Sequence, residues 1–213
     1  VRASAAGGGM PPAFRYLIPY GAASAANWVA CYANRHMHDY GTTREQLGAV
    51  AINARNHAAS NPKAIYTEPM TMEDYLEARL VSEPFGLYDC DVPCDGSTAV
   101  VVSHRDHAGD APEVPIQVNA LGTAHRGRPS WDQFDDLTTM GMRDSAASLW
   151  ERTELTPEDV DTAQLYDGFS WLTLAWIEAM GFCQRGEGGP FVEDGTRIAH
   201  GGALPLNTWG GQL

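Results

Sequence analysis

The sequence predicts an α/β fold in which helices cover both faces of a sheet. Stretches with helical apolar spacing alternate with continuous β-branched runs. One short strand pattern also leads through a tight turn straight into a helix. Composition agrees: 44% of the 213 residues are hydrophobic, enough for a packed core, and 22 glycines and 13 prolines imply many shaped loops.

Residues 22–39 are Ala-rich and lack Gly and Pro, which favours helix, with Gly41 as its stop. A capping box follows, either Thr42 with Glu45 or Thr43 with Gln46. Leu47, Val50, Ala51 and Ala54 then repeat at helical spacing, so a second helix runs to about Ala58 and ends before Asn61-Pro62. Thr71 to Asp74 starts a third, short helix to about Leu80. Residues 95–103 place a turn before the run Val100-Val101-Val102, the pattern of a strand buried on both faces, and Val114 to Leu121 is a second strand candidate. Residues 123–132 read as a long polar connection before a helix from Trp131 or Phe134 to Arg152. Thr156-Pro157-Glu158-Asp159 reads as a helix start. Ala163 to Tyr166 is a short strand candidate, and Phe169, Leu172, Trp176, Ile177 and Met180 continue as helix. Residues 183–213 are Gly-rich with little periodicity.

Several function classes are excluded early. Fourteen Lys and Arg against 27 Asp and Glu give a net charge of −13, with no basic patch to displace counterions, so no nucleic-acid partner is expected. No run reaches the roughly 18–20 apolar residues that span a bilayer, so no membrane association is expected. Four cysteines are too few for a disulfide scaffold and suggest structural thiols in a cytoplasmic chain. Cys90 and Cys94 have a zinc-like spacing but lack a second pair nearby. His36 and His38 diverge by roughly 200° on a helix and cannot share a metal, so solvated or capping roles are expected and no metal site is assigned. Neither a Gly-x-Ser-x-Gly elbow nor a dinucleotide Gly-x-Gly-x-x-Gly is present.

Chemistry concentrates at two places. Leu165-Tyr166-Asp167-Gly168-Phe169 joins a strand end to a helix N-terminus, where α/β folds collect function. Position alone leaves two readings for Tyr166: a packed ring with a satisfied hydroxyl, or a phenol whose anion a helix N-terminus would favour. Asp167 next to it would instead raise the phenol pKa, and its spacing to Ser170 suits a helix cap. The second place is Asn207-Thr208-Trp209-Gly210-Gly211, either a loop whose backbone approaches a ligand or an ordinary surface turn.

Both places, together with Gly41 to Leu47, Asn61 to Ala64, Tyr88 to Gly96, Thr156 to Asp161 and Gly186 to Gly189, resemble the thiolase superfamily in order. More narrowly, the chain is similar to its lipid-transfer-protein or sterol-carrier-type branch. The resemblance implies two similar lobes stacked as a five-layer α-β-α-β-α sandwich, usually dimeric. Residues 1–124 would be the later part of the N-terminal lobe and 125–213 the earlier part of the C-terminal lobe. Family chains are nearly twice this length, and this one starts without Met, so an internal fragment is expected. The acyl-accepting cysteine would precede Val1, and the Gly-His-Pro segment would follow Leu213.

Sterol-carrier-type thiolases carry His-Asp-Cys-Phe where this chain has Tyr166-Asp167-Gly168-Phe169. A tyrosine there resembles the thiolase-like aldolases of steroid side-chain degradation. This implies a carbon–carbon lyase, a retro-aldolase acting on a β-hydroxy acyl-CoA. Its catalytic residue would be Tyr166, with a lowered phenol pKa or concerted proton transfer. Asp167, Phe169, Asn207, Trp209, Gly210 and Gly211 would bind substrate, with N–H groups near Gly210 and Gly211 meeting the thioester oxygen. No bound cofactor is expected, since the CoA thioester is substrate. The implied partners are a second copy and a small OB-fold protein associated with acyl-CoA. The alternatives are an acetyl-CoA acetyltransferase or thiolase, and a non-catalytic scaffold.

Overall fold

The structure is a computed structural model and describes residues 14–126 and 134–213. Its elements are α1 (Phe14–Leu17), α2 (Ala25–Tyr40), α3 (Arg44–Ala58), α4 (Met72–Glu77), β1 (Leu80–Ser82), β2 (Phe85–Gly86), α5 (Met142–Trp150), α6 (Ser170–Ala179) and α7 (Gly188–Val192).

The expected first helix is α2. Asn27 Oδ1 accepts the Ser24 N–H at its start, and the Gly41 N–H donates to Met37 O at its end. Of the two capping boxes offered by the sequence, α3 uses Thr43 and Gln46, which exchange backbone-to-side-chain bonds of 3.0 and 3.3 Å. Thr42 is instead buried and bonded to His36.

The core forms where α2, α3 and α6 meet. Val29, Tyr32, Leu47, Trp171, Leu174 and Ile177 are all buried there. Each such side chain contributes about 1.5–3 kcal/mol by leaving water. Helix α6 is apolar nearly all round, the pattern of a helix enclosed by other elements. Helices α2, α3, α5 and α7 all pack against it, just after the junction that precedes it.

Several expectations are corrected. The third helix stops at Glu77, because Ala78 turns extended (ψ 139°) and Leu80 to Gly86 form an antiparallel hairpin. The helix expected from Trp131 or Phe134 begins at Met142; Trp131 lies outside the described residues. Asp136 accepts the Thr138 N–H and hydroxyl, a local turn that competes with helix. Thr156 caps only a single 3-10 turn, Pro157–Asp159. Residues 95–103 and 114–121 form no strand. Val100, Val101 and Val102 are 79, 93 and 78% exposed, and no described segment offers them a hydrogen-bonded ladder. Ala163 to Tyr166 is not a strand either, although Ala163 makes one parallel bridge to Leu206.

His36 departs from its expected solvated role. It is fully buried, with Nδ1 2.8 Å from Thr42 Oγ1 and Nε2 3.0 Å from Glu178 Oε1, and so ties α2 to α6. His38 is exposed and bonds Asp39. Among the described residues no cluster of three His, Cys, Asp or Glu could hold a metal, and no helix is long and apolar enough to cross a membrane.

Candidate functional site

The junction before α6 is stitched to the C-terminal loop by side chains acting as backbone. The Ala163 N–H donates to Pro205 O and the Asn207 N–H to Ala163 O, at 3.1 and 3.0 Å. Beyond that point the Asn207 amide takes over. Its Oδ1 accepts the Leu165 N–H at 2.8 Å, and its Nδ2 donates to Leu165 O at 3.0 Å. Asn207 is buried and sits at φ +47°, a left-handed conformation that Asn tolerates better than most residues.

Asp167 is the second stitch. It is 2% exposed, and both carboxylate oxygens lie 3.0 Å from the Gln212 nitrogen, whose N–H they accept. It therefore does not cap α6, whose start at Phe169 has no side-chain cap. Gly211, at φ +65°, passes so close that a Cβ would collide with the Asp167 carboxylate. Burial pushes the Asp167 carboxyl up from its ordinary range, against the opposing effect of its hydrogen bonds.

Tyr166 alone in this junction faces outward, 54% exposed. Partial burial, then the negative charges of Asp91 and Asp167, push its phenol up rather than down. It therefore stays protonated at neutral pH, which removes the tyrosinate that a helix N-terminus would have favoured. Phe169, on the far side, stacks on Phe85 with ring centroids 5.5 Å apart.

A cavity of about 410 Å³ opens next to this seam. Trp209, Gly210 and Gly211 form one wall; Asn61, Lys63 and Tyr66, just after α3, form another. The third wall is Asp91 to Cys94, anchored at both sides. The Asp91 N–H donates to Gly168 O and the Val92 N–H to Gln212 O, each at 3.2 Å. Asp91 is thus the acidic group common to the cavity wall and the surroundings of Tyr166.

His57 locks the loop from below. The His200 N–H donates to its Nε2 at 3.0 Å, so Nε2 is an acceptor and Nδ1 carries the proton toward Leu206 O and Asn207 O, at 2.9 and 3.3 Å. Burial and the stacked His200 ring, 3.8 Å away, lower its pKa and keep it neutral. Periodicity could not reveal this role, because His57 looks like any residue in the last turn of α3.

The two partly buried thiols are poor nucleophiles. Burial, with Asp89 and Asp91, pushes the Cys90 thiol up to about 11; burial, with Glu178 and Glu187, pushes Cys183 up to about 12. Cys31 and Cys94 are exposed and free.

The fold has clear relatives. The thiolase C-terminal domain-like family matches residues 122–213. The chain is similar to proteins of the thiolase superfamily. Among them, the chain is 40% identical to a steroid side-chain-cleaving aldolase from Thermomonospora curvata, over 94% of this chain and 52% of that protein. It is 39% identical to the 17-hydroxy-3-oxo-4-pregnene-20-carboxyl-CoA lyase of Mycobacterium tuberculosis, over 96% of this chain and 54% of that one. The solved structure of an Ltp2-ChsH2(DUF35) aldolase superposes with a TM-score of 0.84 and 36% identity, covering 100% of this chain and 56% of the other. The fold is therefore thiolase-like, and the chain spans about half the length of these relatives.

Proposed function

We propose that the chain is part of a carbon–carbon lyase that cleaves a β-hydroxy acyl-CoA, with a steroid side-chain thioester as substrate. The observation that carries this reading is Tyr166: a protonated, outward-facing phenol at the junction before α6 of a chain 40% identical to a steroid side-chain-cleaving aldolase.

In the retro-aldol step the β-hydroxyl gives up its proton, its oxygen forms the carbonyl of the ketone, and the Cα–Cβ bond breaks. The bonding pair moves into the thioester as an enolate, which becomes the shorter acyl-CoA once Cα gains a proton. A phenol held in its protonated form suits donation, so Tyr166 supplies that proton, and a separate group takes the hydroxyl proton. Trp209 and Gly211 present the cavity wall to the substrate. The Gly210 N–H already donates to Asn207 O, at 2.8 Å, which leaves the Gly211 N–H for the thioester oxygen. Asp167, Phe169 and Asn207 lie beneath this surface and shape it.

The CoA thioester enters as substrate and no bound cofactor is needed. We place the enzyme in the cytoplasm as a homodimer joined to a small OB-fold protein that carries part of the acyl-CoA. The pairing of Ltp2 with a DUF35 protein in the related aldolase supports such a partner.

The test uses the full-length protein with its partner. A β-hydroxy steroid acyl-CoA should yield a ketone and a shorter acyl-CoA, and Tyr166→Phe should lower kcat by about two orders of magnitude. Acetyl transfer between acetoacetyl-CoA and CoA, without steroid cleavage, would establish the acyltransferase instead. Undiminished cleavage by Tyr166→Phe would leave this chain a scaffold.

A further inference from the structure

Gly168 is buried between two residues that tertiary contacts hold: Asp167, bonded to Gln212, and Phe169, stacked on Phe85. Its carbonyl accepts the Asp91 N–H at 3.2 Å, which fixes its peptide plane as well. Its backbone is not left-handed, so any residue could adopt that conformation. A glycine is needed here for another reason. A Cβ at 168 would collide with Oη and Cζ of Tyr166 and come within 3.1 Å of its Cε1, and these are its three nearest neighbours. The tyrosine ring therefore lies across the open face of the residue two positions after it.

We infer that Gly168 is a positioning residue for Tyr166: its missing side chain is the seat on which the phenol rests. The catalytic half of this inference rests on the retro-aldol reading of Tyr166; the placement of the ring does not.

The physics separates this role from a stabilising one. The backbone at 168 is pinned on three sides, so a methyl there makes the ring yield rather than the chain. Tyr166 is 54% exposed, so its ring can swing into water with little loss of buried surface. The swing must move the hydroxyl by about 1 Å or more, and a misplacement of that size costs on the order of 10²-fold in rate. Gly168→Ala should thus spare the fold and injure the chemistry.

The test is Gly168→Ala in the full-length protein with its partner, alone and combined with Tyr166→Phe. Gly168→Ala should lower kcat ten- to a hundredfold, leave KM within about twofold, and keep Tm within about 2 °C. Its crystal structure should show the Tyr166 ring displaced from residue 168. On the Tyr166→Phe background the same change should cause no further loss, because the hydroxyl being placed is already gone. An unmoved ring, an unchanged kcat, or an equal loss on the Tyr166→Phe background would each overturn the inference. The two readings fail separately: full activity in Tyr166→Phe would remove the catalytic role of the phenol, while a displaced ring in Gly168→Ala would still show what glycine does there.

Discussion

The seam between residues 163–169 and 206–212 is closed by buried polar side chains, while the stretch from Val100 to Leu121 leaves its large apolar side chains exposed. In the seam, Asn207 and Asp167 are 5 and 2% exposed, and each satisfies backbone groups of the opposite segment. In the stretch, Val101 and Ile116 are 93 and 95% exposed, and no described strand pairs with them. Burial here tracks the supply of hydrogen-bonding partners rather than hydrophobicity. An unpaired backbone resists burial whatever its side chains, because each orphaned N–H or C=O costs about 1–3 kcal/mol. Two polar side chains close the seam, and nothing among the described residues does so for the stretch.

The largest expected effect breaks the seam at its tightest point. Gly211→Ala forces a Cβ onto a left-handed backbone and into the Asp167 carboxylate. It should destabilise the protein by roughly 2–4 kcal/mol in urea unfolding. Asp167→Ala should follow at about 1–3 kcal/mol, since the Gln212 N–H loses its acceptor. A cost below about 0.5 kcal/mol for both would mean that the seam is not what holds the loop.

A smaller effect sharpens the comparison through pH, because the polar groups of the seam titrate and the valines cannot. The His57 pKa is lowered in the folded protein. Its contribution is therefore full above the ordinary histidine value of about 6.5 and is lost as pH falls through the lowered folded value. Asp167 and Asp89 are raised, chiefly by burial, so their contribution has the opposite sign. It is full below about 3.8 and lost as pH rises through the raised folded values. Stability curves against pH should show the gap between wild type and His57→Gln narrowing below pH 6.5. Asp167→Asn should lose most, relative to wild type, in acid, and less as pH rises through the raised Asp167 value. A gap that stays constant with pH in both variants would show that neither group titrates within the seam.

Much of this was legible in sequence, for reasons that differ by element. Helices α2, α3 and α6 could be read because caps and apolar spacing are local: Thr43 finds Gln46 three residues on, and Leu47 to Ala54 share one face. Of the cavity wall, Trp209, Gly210 and Gly211 stand in a stretch that the order of motifs singles out, whereas Asn61, Lys63, Tyr66 and Asp91 join them only through the tertiary fold, and Tyr166 lies outside that lining. Asp167 shows the limit of local reading. A cap at Ser170 fitted its spacing, but a backbone N–H 45 residues away won its carboxylate. His57, bonded across 143 to 150 residues, carried no local signal at all.

The smallest expected effect concerns the exposed stretch. Val101→Thr exchanges a methyl for a hydroxyl at nearly constant shape, so strand propensity and sterics change little. At 93% exposure that hydroxyl meets water, and the unfolding free energy of the 213-residue chain should move by no more than about 0.5 kcal/mol. Val50→Thr is the control, since the same exchange at 4% exposure buries a hydroxyl and should cost about 1–3 kcal/mol. In the full-length, partner-bound protein the comparison becomes sharper. If Val101→Thr then costs as much as Val50→Thr, the stretch has gained a cover there, and its β-branched pattern reports burial that only the longer protein or its partner supplies. Equal and small costs in both settings would mean that residues 100–102 remain a solvent-facing segment, and that their pattern carries no packing role.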